Sequence, residues 1–125
     1  MRQSFTIPGR LDGLNEFIEA YCKGRYVGAK CKKENEEIVG YCILAARLKP
    51  MATPVDVKIT WHEQPNRGQM RDKDNLVFQL KFIFDALVRA GIIKDDGFNH
   101  IGDIDPKLVR VDKDPRIVVE LENHE

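Results

Sequence analysis

The sequence predicts an α+β fold, a small mixed, mostly antiparallel sheet packed with about three helices in the order β-α-α-β-α-β-β. Three observations predict it. Short segments that alternate apolar and polar residues occur near both ends and in the middle of the chain. Segments with apolar residues three and four apart lie between them. Turn chemistry, such as Pro8-Gly9 and Asp112-Lys113-Asp114-Pro115, separates the two kinds. With 125 residues, the chain is expected to form one domain over 1–125.

Ser4–Ile7 is a short candidate strand, stopped by Pro8-Gly9. Leu11, Leu14, Phe17, Ile18, Tyr21 and Cys22 then recur at helical spacing, with Asp12 near the start and Gly24 at the expected end. The basic window Lys23–Lys33 reads as a loop feeding a second helix over roughly Lys32–Leu48. That helix is expected to turn Ile38, Cys42 and Ala45 inward, with Val39 and Ala46 as further candidates, and to close before Pro50. Val55–Glu63 is the clearest strand, because Val55, Val57, Ile59 and Trp61 alternate with Asp56, Lys58, Thr60 and His62. Trp61 is expected in the core and His62 on the surface. After a turn-rich link, Gln64–Gln69, comes a long amphipathic helix. Two further strands follow, one from His100 toward Val111 and one through Ile117, Val119 and Leu121, which together predict a C-terminal hairpin.

Composition excludes several classes. No apolar run approaches the roughly 18–20 residues that span a bilayer. The amino terminus has positive charge but no apolar stretch of the signal-peptide kind, so a cytosolic chain is expected. Cys22, Cys31 and Cys42 are odd in number, form no CxxC pair and lie far in sequence from the histidines. Free thiols, rather than zinc or a disulfide framework, are expected. Net charge is zero but uneven, with 10 basic and 7 acidic residues in 1–60 against 10 and 13 in 61–125. Lys23, Arg25, Lys30, Lys32 and Lys33 crowd one window without an acid, a pattern that suits either phosphate contact or a solvated loop.

The chemistry concentrates in Arg71–Asp96, RDKDNLVFQLKFIFDALVRAGIIKDD. Asp72 and Asp74 stand where the helix begins, and Asp95 and Asp96 follow its end. On a helical wheel Leu76, Leu80, Ile83, Phe84, Leu87 and Ala90 form the core side, while Asp74, Lys81 and Asp85 share the opposite stripe. Phe78 and Phe82 fall beside that stripe, where they require a second layer or a partner subunit to cover them. Convergent carboxylates hold hard cations such as Mg²⁺ against a phosphodiester, and a nearby lysine offsets the growing charge. The same residues also suit a structural reading: Asp72 as an N-cap, Asp74 as a first-turn acid, and Asp95-Asp96 before Gly97 as a turn. An EF-hand fails, because Leu76 and Val77 occupy positions that need a ligand and a glycine. Phosphate-loop, nucleophile-elbow and dinucleotide motifs are absent. Asp103 and Asp105 form a second DxD, followed by Pro106 and without basic support.

Asp72-x-Asp74-Asn75-Leu76, then Asp85-Ala86-Leu87, Ala90-Gly91 and Asp95-Asp96, resemble the RusA family of Holliday-junction resolvases, small phage-type endodeoxyribonucleases. The resemblance implies an α+β homodimer that cuts two opposed strands of a four-way DNA junction with Mg²⁺, or Mn²⁺ in its place, in recombination and repair. Carried over by motif, Asp72, Asp74 and Asp96 would be the metal-binding, catalytic carboxylates. Lys81, four residues before Asp85, matches the family's essential lysine, and Asp85 is expected to orient Lys81 or a backbone group. The span between the two halves of the motif is about three residues longer here, which moves Lys81 by about 4.5 Å along the helix. Lys73, Arg71 and Lys94 are alternative carriers of that charge. Lys30, Lys32, Lys33, Arg67 and Arg71 are the expected phosphate contacts. A non-catalytic junction-binding module, or a nuclease for other branched DNA, are the competing expectations.

Overall fold

The computed structural model describes residues 1–125. Its elements are β1 (Arg2–Pro8), α1 (Leu14–Cys22), α2 (Arg25–Ala45), β2 (Val55–Glu63), α3 (Lys73–Val77), α4 (Leu80–Arg89), β3 (Ile101–Arg110) and β4 (Arg116–Asn123). The α+β class and the element order are as predicted, with the third helix divided in two. No helix is long and apolar enough to cross a membrane.

The four strands form one mixed sheet in the order β1-β4-β2-β3. β1 pairs antiparallel with β4 and β4 antiparallel with β2, whereas β2 and β3 run parallel. Parallel neighbours need a crossover, and α3–α4 supplies it. The predicted C-terminal hairpin is therefore not formed, because β2 lies between β3 and β4. The reason lies in burial. Val55, Val57, Ile59 and Trp61 are all buried and need a neighbour on each side, whereas β3 is largely exposed and carries Pro106, which lacks an N–H and suits an edge. The link from β3 to β4 crosses the end of β2, where Val111 N–H donates to Glu63 O at 2.9 Å.

One sheet face bears Phe5, Ile7, Val57, Ile59, Trp61, Ile117, Val119 and Leu121, all buried in a single core with Leu76, Phe82, Ile83 and Leu87 from the crossover. Burying each such side chain stabilises the fold by about 1.5–3 kcal/mol. Phe82 belongs to this core rather than beside the polar stripe. Its cover comes from α1 of the same chain, with Phe17 centred 5.0 Å from Phe78 and 6.1 Å from Phe82. No second subunit is needed there.

The helices differ from expectation in phase and extent. α1 begins at Leu14, so Asp12 precedes it and instead accepts a hydrogen bond from Asn35 Nδ2 at 2.8 Å. α2 begins at Arg25, so most of the basic window is helix, not loop. Gly24, at φ 141°, takes the backbone conformation that lets α1 turn directly into α2. The buried side of α2 is Gly28, Asn35, Glu36, Val39 and Ile43, while Ile38, Ala45 and Ala46 are exposed and Cys42 is half-buried. Hydrophobicity mis-phased this helix because two of its buried residues are polar. The cysteines are free, with Cys22 exposed and the other two half-buried. Burial and the neighbouring Asp12 push the Cys31 thiol up to about 11.

Candidate functional site

The predicted third helix breaks at Phe78-Gln79, where Gln79 and Phe82 N–H groups bond to carbonyls three residues back. Gln79 explains the break. It is fully buried, accepts a hydrogen bond from Trp61 Nε1 at 2.8 Å and donates through Nε2 to Leu11 O at 2.9 Å. Asn75, four residues earlier, accepts from Asn15 N–H at 2.8 Å and so satisfies an open donor in the first turn of α1. Gly13 is required there, since a Cβ would collide with the Asn75 side chain. Four residues earlier again, Arg71 donates to Leu11 O at 2.8 Å. Arg71, Asn75 and Gln79 thus clamp one side of the stretch onto the loop before α1 and the first turn of α1, at the four-residue spacing of a helix face.

Arg71 is also tied to β2. Its Nη2 lies 2.9 Å from Glu63 Oε2, and Arg10 Nε lies 2.8 Å from Glu63 Oε1. The Glu63 side chain is only 2% exposed, and Arg71 14%. Arg71 is therefore committed to holding the sheet to the crossover, and the expected phosphate contact does not fit its position.

The clamp leaves Asp72 and Asp74 facing outward. Both are exposed. Asp72 occupies the N-cap position of α3, yet its side chain makes no capping hydrogen bond. Asp74, in the first turn, enters no ion pair or side-chain hydrogen bond. The structural reading of these two acids as caps thus finds no bond to support it beyond their favourable place at a helix start.

Asp96 stands elsewhere. It is half-buried beside Asp85 of α4. Burial, then the hydrogen bond and charge of Asp85, raise the Asp96 carboxyl above the usual range. Burial also pushes Asp85 up, but the Lys32 hydrogen bond and charge, with Lys81 behind them, hold it below. Of the two neighbouring carboxyls, Asp85 is therefore the more acidic and Asp96 the more readily protonated. Lys32 Nζ lies 3.0 Å from Asp85 Oδ2 and 2.9 Å from Glu36 Oε1, and Lys81 Nζ lies 3.4 Å from Asp85 Oδ2. The prediction that Asp85 orients Lys81 fits this geometry. Burial works against the Lys32 ammonium, yet its bonds to Glu36 and Asp85 raise it overall. Asp95 accepts a hydrogen bond from Asp96 N–H at 2.8 Å, which is turn chemistry.

The three carboxylates expected to share a metal are not gathered at one point of this chain. Their ligand atoms do not form a group within 4.8 Å of one another, and Asp96 instead neighbours Asp85. Asp72 and Asp74 by themselves fit Mg²⁺, which takes one or two carboxylates and completes its octahedron with water and phosphate oxygens. The other expected phosphate contacts divide. Lys33 and Arg67 are exposed, with Arg67 at the tip of the Asn66–Gln69 turn. Lys30 is exposed and 3.9 Å from Glu34, whereas Lys32 is held in the acidic cluster.

Sequence reasoning missed one tight group. Asp56, Asp103 and His124 bring one potential ligand atom each within 4.8 Å of one another. Asp56 Oδ1 accepts from Asp103 N–H at 2.7 Å and lies 2.7 Å from His124 Nδ1, so its internal bonds already account for the arrangement. Its only sequence signal was the second DxD at Asp103, because the Asp56–His124 approach needs β2 and β4 side by side. The Asp56 hydrogen bond and charge raise His124 above the ordinary histidine value of 6.5. The pair's contribution to stability is thus full below that value while Asp56 stays ionised, is lost as pH rises through the native histidine value, and is lost again in acid as pH falls through the lowered Asp56 value. In an NMR titration, His124 is expected to have a higher midpoint than in Asp56→Asn; equal midpoints would refute the pairing. His62, on the same open sheet face, moves the other way through burial and the charge of Arg116.

No model of a known protein family matches the chain, and neither does any curated protein.

Proposed function

We propose that this protein is a Mg²⁺-dependent endodeoxyribonuclease that resolves four-way DNA junctions as a homodimer, as its resemblance to the RusA family implies. The observation that carries this reading is the state of Asp72 and Asp74. Their stretch is clamped by Arg71, Asn75 and Gln79, while their own carboxylates are exposed and uncommitted. Two hard oxygen donors on a rigid support suit a cation that must also accept phosphate oxygens. When bound, such a cation polarises the phosphate and makes its water a nucleophile near neutral pH.

The remaining residues take supporting roles. Asp72 and Asp74 hold and orient the cation. Lys81, exposed at the start of α4, offers an ammonium toward approaching phosphate, and Asp85 restrains it. Arg67, exposed at the Asn66–Gln69 turn, is the expected cation left to contact the DNA backbone. Two copies related by a two-fold axis would present two equivalent sites to two equivalent strands.

One observation favours a second reading. Asp96 is paired with Asp85 rather than with Asp72 and Asp74, which suits a junction-binding module whose acidic cluster is structural. The deciding experiment incubates the purified protein with a labelled mobile four-way junction in Mg²⁺ or EDTA. Paired symmetric nicks in Mg²⁺ alone are expected. Binding without cleavage would instead assign the binding module, and equal cutting of linear duplex would remove junction selectivity.

A further inference from the structure

α2 is 21 residues long, about 31 Å, and only one side of it is buried. Its outer side carries three large exposed residues, Tyr26 at 82%, Tyr41 at 69% and Leu44 at 75% exposure. Isolated exposed apolar residues are ordinary, but these recur on one stripe. At 100° per residue, Tyr26, Lys30, Lys33, Glu34, Glu37, Tyr41 and Leu44 fall within about 100° of arc, opposite Val39 and Asn35.

The order of residues along that stripe is self-complementary. Reversing the helix about a point between Lys33 and Glu34 sets Lys30 against Glu37, both near the middle of the stripe, and brings Tyr26 level with Tyr41. At the centre of the stripe base then meets acid, and toward its ends aromatic meets aromatic. A two-fold axis generates this superposition, because an isologous contact requires residue i to face j and j to face i.

We infer that the exposed face of α2 is a homodimer surface, on which α2 packs antiparallel against α2 of a second copy. Each dimer then contains two Lys30–Glu37 pairs along the middle of the contact and two Tyr26–Tyr41 contacts at the ends. The aromatic contacts supply buried area, and the charges set direction and register. Parallel packing would bring like charges together and is disfavoured. DNA is a poorer occupant, because Glu34 and Glu37 alternate with the lysines and repel phosphate. The only ion pair within the stripe, Lys30–Glu34, is exposed at 3.9 Å and holds its lysine weakly.

This gives the proposed nuclease dimer its surface, but the test contains neither DNA nor metal, so the two readings fail separately. Sedimentation equilibrium of the full chain is expected to show a dimer. Lys30→Glu alone and Glu37→Lys alone each oppose like charges twice and should weaken the dimer at least tenfold. An equimolar mixture of the two variants should form a heterodimer. One copy then carries acid at positions 30 and 37 and the other carries base at both, so the two contacts become attractive again. Recovery in the mixture also shows that each variant folds. A wild-type monomer at about 100 μM, a single variant that dimerises as the wild type does, or a mixture that stays monomeric would each overturn the inference.

Discussion

Asp74→Asn lowers Mg²⁺-dependent junction cleavage by about 100-fold or more and leaves junction binding nearly unchanged. The substitution keeps the size and shape of the side chain but removes the charge that a cation requires. Asp74 is exposed and lies outside the clamp, so stability should stay within about 0.5 kcal/mol of wild type. Asp72→Asn should behave alike. Rates under single-turnover conditions, with binding measured in parallel in Ca²⁺ or EDTA, separate chemistry from affinity. Cleavage retained within about threefold would remove these carboxylates from the site. Lys81→Ala in the same assay tests the lysine that the motif assigns. Turnover near wild type would show that the longer span has moved that role, and Lys32, the better anchored ammonium beside Asp85, would be the next residue to vary.

Glu63→Ala costs about 3 kcal/mol of stability, the largest loss expected from any single polar side chain here. Glu63 is at the end of β2 and almost wholly buried, with guanidinium groups from Arg10 and Arg71 on its two oxygens. Removing it leaves the mostly buried Arg71 with only the more exposed Glu16, 3.7 Å away, as counter-charge, and Arg71 Nε already lacks a hydrogen-bond partner. Such a site is worse half-empty than absent, because desolvation of the remaining cation is no longer offset. Urea unfolding at pH 7 reads the loss directly, and a change below about 1 kcal/mol would show that Arg71 finds water instead. Because Arg71 begins the clamp that supports Asp72 and Asp74, the variant should also cut junctions more slowly at temperatures where it remains folded.

Local pattern made much of this protein legible. Val55–Glu63 was bounded correctly because a strand buried on one face must alternate, and no other structure satisfies that period. β1 and β4 followed for the same reason. The order of elements was equally clear, since Pro, Gly and Asp-rich turns separate them. The acidic residues at the two ends of the crossover were visible as well, although their pattern alone favoured caps and turns.

Long-range packing decided the rest. The phase of α2 was misread because Asn35 and Glu36 are buried; Lys32, one helical turn before Glu36, and Asp12, which only the fold brings near Asn35, make that burial tolerable. The break between α3 and α4 was invisible because Gln79 is a good helix former. Only the fold reveals that its side chain must reach Trp61 and Leu11. The hairpin expectation failed because pairing is chosen by which strand has both edges to bury, a property of the whole sheet. The amino-acid sequence by itself therefore determined the elements, their order and the carboxylates that an acidic site would use. Only the tertiary structure decided that Arg71 is a strut, that Lys32 belongs to Asp85, and that Asp96 stands apart from Asp72 and Asp74. The physical reason is one of range. Periodicity and turn chemistry act over a few residues, whereas charge pairing and desolvation depend on neighbours that the chain brings together only when it folds.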